Sequence, residues 1–265
     1  MRIYSMNNLE SFNNCPTELD PSFEVTRPGF EILRELRETG SGPDLNGRPT
    51  PFTNFFEHPT GMVIYNLVRA ERARNVLELG LAHGVSSIYL LQGVADNGGG
   101  RVISMDPGVP ADGIGLNNIR RAGLSQYHTF SNQPSEYVLP AIAQSDFRAD
   151  FIFIDTNHMY DQTIVEAYFA NRILRVGGIM MFDDCQLDSV RTACNFVEAN
   201  LHYQLHPLHT ENGGKALEGL SNVFRIMRKM KNDDREWFHF KPFEVQDTGQ
   251  LGKYLDWMAK NRPNH

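Results

Sequence analysis

The sequence predicts an α/β sandwich built on a mostly parallel sheet, and three observations carry that expectation. Short runs of strand length recur at 75–79, 101–105, 126–130, 150–154 and 178–182. Segments with helical patterning separate the early ones, at 85–94, 117–122, 135–143 and 160–174. Several runs are continuously apolar rather than alternating, the mark of strands covered on both faces by helices. Two later runs, 202–208 and 222–227, extend the sheet to seven strands.

Residues 1 to about 50 are rich in Asn, Pro, Gly and charge. One helix is expected there from Pro28 to Thr39, followed by a loop over 40–47. Residues 1–57 are therefore read as an appended arm or lid. Pro59-Thr60-Gly61 opens a second helix, in which Met62, Ile64, Leu67 and Val68 recur at helical spacing. The body of the fold is assigned to 58–230, and 231–265 to a tail packing on it. In open parallel sheets, ligands bind beyond the carboxyl ends of the strands. Those ends carry Glu78 to Gly84, Asp106, Asp155 and the pair Asp183-Asp184.

Composition narrows the function class. Hydrophobic residues at 41% and charged residues at 22% are the proportions of an ordinary globular protein. A net charge of −7, with no long basic block, disfavours a surface that tracks phosphates, so no nucleic-acid partner is expected. Cys15, Cys185 and Cys194 are odd in number and form no Cys-x-x-Cys pair, which reads as reduced thiols in the cytoplasm. The first residues lack a basic stretch followed by an apolar core, and no run approaches the ~20 apolar residues that span a bilayer, so no membrane association is expected. A small-molecule substrate is the partner implied, and a homodimer or higher homo-oligomer stays open.

At the first strand end, Val76-Leu-Glu-Leu-Gly-Leu-Ala-His-Gly-Val-Ser-Ser87 places an acid and two glycines before a helix. Glycines there let a backbone pass close to a ligand. The segment has no Gly-Lys-Ser/Thr ending and no Gly-x-Gly-x-x-Gly, which excludes phosphate-loop and dinucleotide readings. Asp106 ends the next strand, where an acid either accepts hydrogen bonds from ribose hydroxyls or begins the Pro107-Gly108 turn.

The Glu-x-Gly-x-x-x-Gly segment resembles the first motif of the class I S-adenosylmethionine-dependent methyltransferases, and the likeness extends from about residue 58 to 230. It implies a Rossmann-like sandwich with a mostly parallel seven-stranded sheet and an N-terminal helical arm. S-adenosylmethionine is the implied cofactor, with Glu78, Gly80, Gly84 and Ser86 around its methionine part and Asp106 on the ribose. Phe130-Ser-Asn-Gln-Pro-Ser135, with Asn132, is similar to the segment that covers the adenine, and Asp155 is included on the cofactor side.

Phe151-Ile-Phe-Ile-Asp-Thr-Asn-His158 and the later Gly177-Gly178 and Asp183-Asp184 look like the metal-dependent small-molecule O-methyltransferases, relatives of the catechol and macrolide-sugar enzymes. Their pattern is Ile-Asp-Gly-x-His, then Gly-Gly and a paired acidic end. Thr156 stands where glycine is usual, and Val176 replaces a common proline. The resemblance implies a divalent cation, magnesium, on Asp155, Asp183 and Asp184, with Asp155 and His158 as the catalytic pair. Independently of it, if the strands that end in Asp155 and Asp183-Asp184 are adjacent, their three carboxylates repel one another unless a cation compensates, and hard oxygen ligands suit magnesium, manganese or calcium. Asp184 alone also reads as a cap for a helix beginning near Leu187, and His158 as a residue packing at the start of the Tyr160 helix.

Positioning two reactants supplies roughly 7–11 kcal/mol of a methyl-transfer barrier. Ionising the acceptor at pH 7 requires on the order of 4 kcal/mol for a phenol and 12 for an aliphatic alcohol. A metal and a base such as His158, with an ordinary pKa near ~6.5, answer both. The residues leave two other readings: transfer to nitrogen, carbon or a carboxylate without metal, and a non-catalytic S-adenosylmethionine-binding domain. His83, His128, His202, His206 and His209 lack the spacing of a ligand set, and Phe52, Phe55, Phe56 and Tyr65 read as apolar packing or a pocket wall.

Overall fold

A computed structural model describes residues 27–52, 58–110, 113–206 and 223–261. Cys15, Phe55, Phe56 and His209 lie outside the described residues. The elements are α1 (Pro28–Thr39), β1 (Ser41–Pro43), β2 (Pro49–Pro51), α2 (His58–Ala70), β3 (Asn75–Leu79), α3 (Val85–Asp96), β4 (Arg101–Met105) and α4 (Ile114–Arg121). They continue with β5 (His128–Ser131), α5 (Ser135–Gln144), β6 (Ala149–Ile154), α6 (Tyr160–Ile173), β7 (Leu174–Phe182), α7 (Asp188–Asn200), β8 (Tyr203–Leu205), β9 (Arg225–Lys229) and α8 (Gln250–Asn261).

The main sheet has seven strands in the order β5-β4-β3-β6-β7-β9-β8, and β9 alone among them runs antiparallel to its neighbours. Successive residues of a strand face opposite sides, so the apolar strands feed two cores. Phe151, Phe153, Ile179 and Met181 pack with α1, α2 and α3, whereas Ile152, Ile154, Met180 and Phe182 pack with α5, α6 and α7. The expected strands stand, with shifted ends: 126–130 opens as a short 3-10 turn over Ser125–Tyr127 before β5, and β7 begins at Leu174, ahead of the two glycines.

The loop expected over 40–47 lies within a hairpin, in which Asp44 Oδ1 accepts the Asn46 and Arg48 amides at 2.8 and 2.9 Å and closes the turn between β1 and β2. Phe30, Leu33 and Leu36 of α1 are buried against Ile64 and Tyr89, so the arm is part of the main core from α1 onward. The tail tracks α7: Asn200 exchanges hydrogen bonds with the Lys241 backbone, and Thr248 N donates to Asp188 at 2.9 Å. No helix among the described residues is long and apolar enough to cross a membrane. Cys185 and Cys194 are buried free thiols with their sulfurs 3.7 Å apart.

One ion pair fastens the antiparallel edge to the core. Arg228 on β9 grips Glu71, after α2, through two bonds of 2.6 and 2.8 Å and also donates to Gly177 O at 2.6 Å. Burial would raise the Glu71 pKa, but the hydrogen bonds of His206 and Arg228 and the Arg228 charge outweigh it and bring it from 4.5 to about 2. Arg228→Ala is expected to cost about 3 kcal/mol at pH 7, because it strips the partner from a mostly buried carboxylate. A carboxylate with a depressed folded pKa stabilises fully above pH 4.5 and loses that contribution as pH falls toward about 2. Urea denaturation across this range should show a shallower decline in Glu71→Gln than in the wild type.

Candidate active site

The carboxyl ends of β3, β4, β5, β6 and β7 open on one cavity of about 610 Å³, a volume suited to a small molecule or cofactor. Its walls follow the strand order: Pro134, Ser135 and Glu136 after β5, Asp106 to Gly108 after β4, the glycine turn after β3, Asp155 to His158 after β6, and Asp183-Asp184 after β7. A second cavity of about 490 Å³ lies between the glycine turn and the β1–β2 hairpin, sharing Ala82, His83, Asp106 and Gly108 with the first.

The glycine turn is shaped by close approach. Gly80 has φ +93°, and a Cβ there would stand 1.8 Å from the Asp155 carbonyl oxygen. Gly84, at φ +77°, faces the Gly115 backbone, whose carbonyl would lie 2.9 Å from a Cβ. Between them, Asp106 Oδ2 accepts the Leu81 and Ala82 amides, each at 2.9 Å, and its Oδ1 accepts the Gly108 amide at 2.8 Å. Asp106 thus holds the turn while lining the cavity, and its oxygens retain acceptor capacity for a ligand.

Glu78 differs from its expected place. Its carboxylate is buried under the turn, away from the cavity wall, and accepts Ser86, Ser87 and Ser104 hydroxyls at 2.6, 2.6 and 2.5 Å. Burial raises its pKa to about 7 against the lowering effect of the three serines. It locks the first turn of α3 to β4, and Ser86, which does line the cavity, is held by it. Asn132 also departs from the cofactor assignment: it is exposed, donates to Val109 O, and is not among the residues lining the large cavity.

On the opposite side, Asp155, His158 and Asp184 each offer a ligand atom within 4.8 Å of the others. His158 Nε2 lies 3.2 Å from Asp155 Oδ1 and 3.1 Å from Asp184 Oδ2, with the three side chains 26, 29 and 26% exposed for His158, Asp155 and Asp184. Asp183 stands outside this group: its side chain is buried, and its Oδ1 accepts the Asp184 amide at 2.7 Å. His158 therefore occupies the third position that the sequence reading gave to Asp183. Neither Asp184 nor His158 is a helix cap, since Leu187 precedes α7 and Met159 precedes α6.

Backbone strain marks the same place. The described non-glycine residues with positive φ are Arg72, Ala82, His158 and Asp184, and the last three line the cavity. Ser189 Oγ donates to the His158 carbonyl at 2.6 Å, and Gln186 Nε2 to Asp184 Oδ1 at 2.6 Å, fixing both strained residues. Thr156 is not among the left-handed residues, so the turn does not require glycine there. Electrostatics couples the cluster. The hydrogen bond that His158 donates to Asp155, with the charges of Asp155, Asp184 and Asp183, raises the His158 pKa against the effect of burial. Burial, with repulsion from Asp184 and Asp106, raises Asp155, and His158 opposes it.

Residues 77–185, from β3 to just past β7, match the family model of a methyltransferase domain. Over that span the chain is similar to methyltransferase domains. Its similarities lie among O-methyltransferases. It is 27% identical to a caffeoyl-CoA O-methyltransferase 2 of Petunia hybrida over 63% of this chain and 65% of that protein. It is 28% identical to a catechol O-methyltransferase of Mycobacterium tuberculosis over 47% of this chain and 54% of that one. The chain thus spans less than two thirds of the length of either relative. A solved O-methyltransferase from Bacillus cereus in complex with SAH has the same fold, at a TM-score of 0.59 and 20% identity, over 78% of this chain and 93% of that one.

The other histidines lie apart from the cluster: His128 Nε2 meets Ser104 Oγ at 2.9 Å, His202 pairs with Asp234, and His206 is buried near Glu71. Glu166, under the cavity floor, escaped the sequence reading. Its signal was a carboxylate in the buried stripe Thr163, Glu166, Ala167, Ala170 and Ile173 of α6. Gly80→Ala is expected to destabilise the fold by about 2 kcal/mol or more, through strain and the displaced end of β6. Thermal denaturation should show the loss, and titration with S-adenosylhomocysteine should show weakened binding.

Proposed function

We propose that the protein transfers the methyl group of S-adenosylmethionine to a hydroxyl of a small molecule, with a divalent cation at the Asp155, His158 and Asp184 cluster. The observation that carries this reading is the single cavity, which joins the glycine turn and Asp106 on one side to that cluster on the other. The likeness to catechol and caffeoyl-CoA O-methyltransferases supports a hydroxyl as the acceptor. The buried thiols Cys185 and Cys194 support the cytoplasm as its location.

The donor set fits a cation, because the carboxylates of Asp155 and Asp184 converge, with His158 beside them, at the wall of an open cavity. Magnesium suits the two carboxylates, with His158 left to handle the proton; a nitrogen ligand would instead favour a softer ion. When bound, the cation lowers the pKa of the acceptor hydroxyl and offsets the negative charge that holds the proton on His158.

The chain's own groups do the rest. The glycine turn and Asp106 seat the cofactor, with Asp106 accepting ribose hydroxyls at sites its amide bonds leave free. Asp155 and Asp184 hold His158 through Nε2, so the acceptor's proton goes to its other ring nitrogen, Nδ1. The acceptor oxygen forms a bond to the methyl carbon as the carbon–sulfur bond breaks, leaving S-adenosylhomocysteine and a methyl ether. A base works only when deprotonated, so the rate should fall on the acid side, and in the absence of a cation the neighbouring acids raise the His158 pKa above its usual 6.5.

Calorimetry should show S-adenosylmethionine binding, and incubation with a catechol should yield S-adenosylhomocysteine. EDTA should abolish turnover and magnesium restore it. His158→Gln is expected to lower kcat about 10²–10⁴-fold and to remove the acid limb. A protein that binds no cofactor would overturn the reading, and turnover indifferent to EDTA would replace it with metal-independent transfer.

A further inference from the structure

Glu166 is a buried carboxylate with no evident part in the chemistry above. It sits in the buried face of α6, where an apolar side chain would pack at no electrostatic cost. Its hydrogen-bond partners are three neutral donors: Ser135 Oγ at 2.6 Å, Thr156 Oγ1 at 2.9 Å and Gln162 Nε2 at 3.2 Å. The neighbouring charge of Glu136 is repulsive. Burying a carboxylate on neutral donors alone is costly to a fold, so the residue is hard to explain as packing.

The donors give it a purpose. Ser135, Thr156 and Gln162 all line the large cavity. Ser135 opens α5 after β5 and Thr156 follows β6, while β4 and β3 lie between those strands in the sheet. One carboxylate therefore ties together two cavity walls that the sheet itself holds apart. The span between them contains the ends of β4 and β3, with Asp106 and the glycine turn. Thr156 takes part only because it carries a hydroxyl, which glycine at that position would lack.

We propose that Glu166 is a positioning residue for the cofactor: it fixes the Ser135 and Thr156 walls around S-adenosylmethionine and leaves the transfer step to Asp155, His158 and Asp184. This rests on the proposed methyltransferase function. Cofactor affinity should depend on the three hydrogen bonds, whereas turnover at saturating cofactor should not.

The experiment measures S-adenosylhomocysteine affinity by calorimetry, KM for S-adenosylmethionine, kcat and thermal stability in Glu166→Gln, Thr156→Val and Ser135→Ala. Thr156→Val and Ser135→Ala each remove one hydroxyl and keep the rest of the network, so they remain informative if Glu166→Gln fails to fold. Each is expected to raise the cofactor dissociation constant and KM about tenfold, the scale of one hydrogen bond to a charged group, with kcat changed by about twofold at most. Adding Thr156→Val to Glu166→Gln should cost less than the two separate losses, since both act through the same bond. Unchanged affinity in folded Thr156→Val and Ser135→Ala, with only thermal stability lowered, would overturn the proposal. A fall in kcat at unchanged affinity would also overturn it. A wild-type protein that does not bind S-adenosylhomocysteine would overturn the proposed function itself, so the two failures are distinguishable.

Discussion

Gly80 and Asp155 follow two strands that pair in parallel, β3 and β6, and the Asp155 carbonyl passes so close to Gly80 that a Cβ would stand 1.8 Å from it. The site depends on that approach. It sets the turn that would seat the cofactor directly against the strand end that delivers Asp155, and β7, on the far side of β6, delivers Asp184 to the same place. The β3–β6 and β6–β7 registers, each in step from Phe151 to Ile154, fix the positions of both acids. The proposed transfer would need such proximity between methyl donor and proton acceptor, because placement supplies a large part of what an enzyme contributes to such a reaction.

That proximity has an electrostatic cost. Glu78, Asp106, Asp155, Asp183 and Asp184 all follow or end strands along the same edge of the sheet, and the nearest balancing group in the cluster is His158. The protein answers in three different ways. Glu78 is surrounded by serine hydroxyls and pushed by burial to about 7, so that about half of its charge is removed at neutral pH. Asp106 and Asp183 are absorbed by backbone amides. Asp155 and Asp184 share one imidazole between them and remain partly open to solvent, which makes them the pair most in need of a cation.

The sheet was legible because its strands are short, apolar and separated by helices, and those properties belong to each segment by itself. The glycine turn, Asp106, Asp155, His158 and Asp184 were legible because strand ends in such a sheet face one crevice. Side-chain direction was not. Glu78 lies within β3 and its side chain falls below the turn; the chain becomes left-handed at Asp184, carrying that carboxylate toward His158 and leaving Asp183 to receive the Asp184 amide. The β1–β2 hairpin was read as a loop because its strands are three residues each and carry prolines, so they lack strand patterning and are held by the Asp44 turn. Glu166 was hidden because its partners come from α5, the loop after β6 and α6, which only the folded chain assembles.

Thr156 links the turn after β6 to the buried Glu166. A family pattern with glycine at this position suggests a turn that needs glycine's freedom, yet here the left-handed residue is His158, two positions on, at φ 58°. Moving the tight point of the turn to His158 strains the residue whose ring lies between the two acids, and Ser189 secures its carbonyl from α7. It also leaves position 156 with ordinary backbone geometry, where a side chain is tolerated and a hydroxyl can be used. That hydroxyl finds Glu166, so the departure at 156 and the buried acid at 166 are two halves of one feature. Replacing either alone leaves the other without its partner: a buried acceptor lacking a donor, or a hydroxyl lacking an acceptor, beside the residue that the cluster is built on.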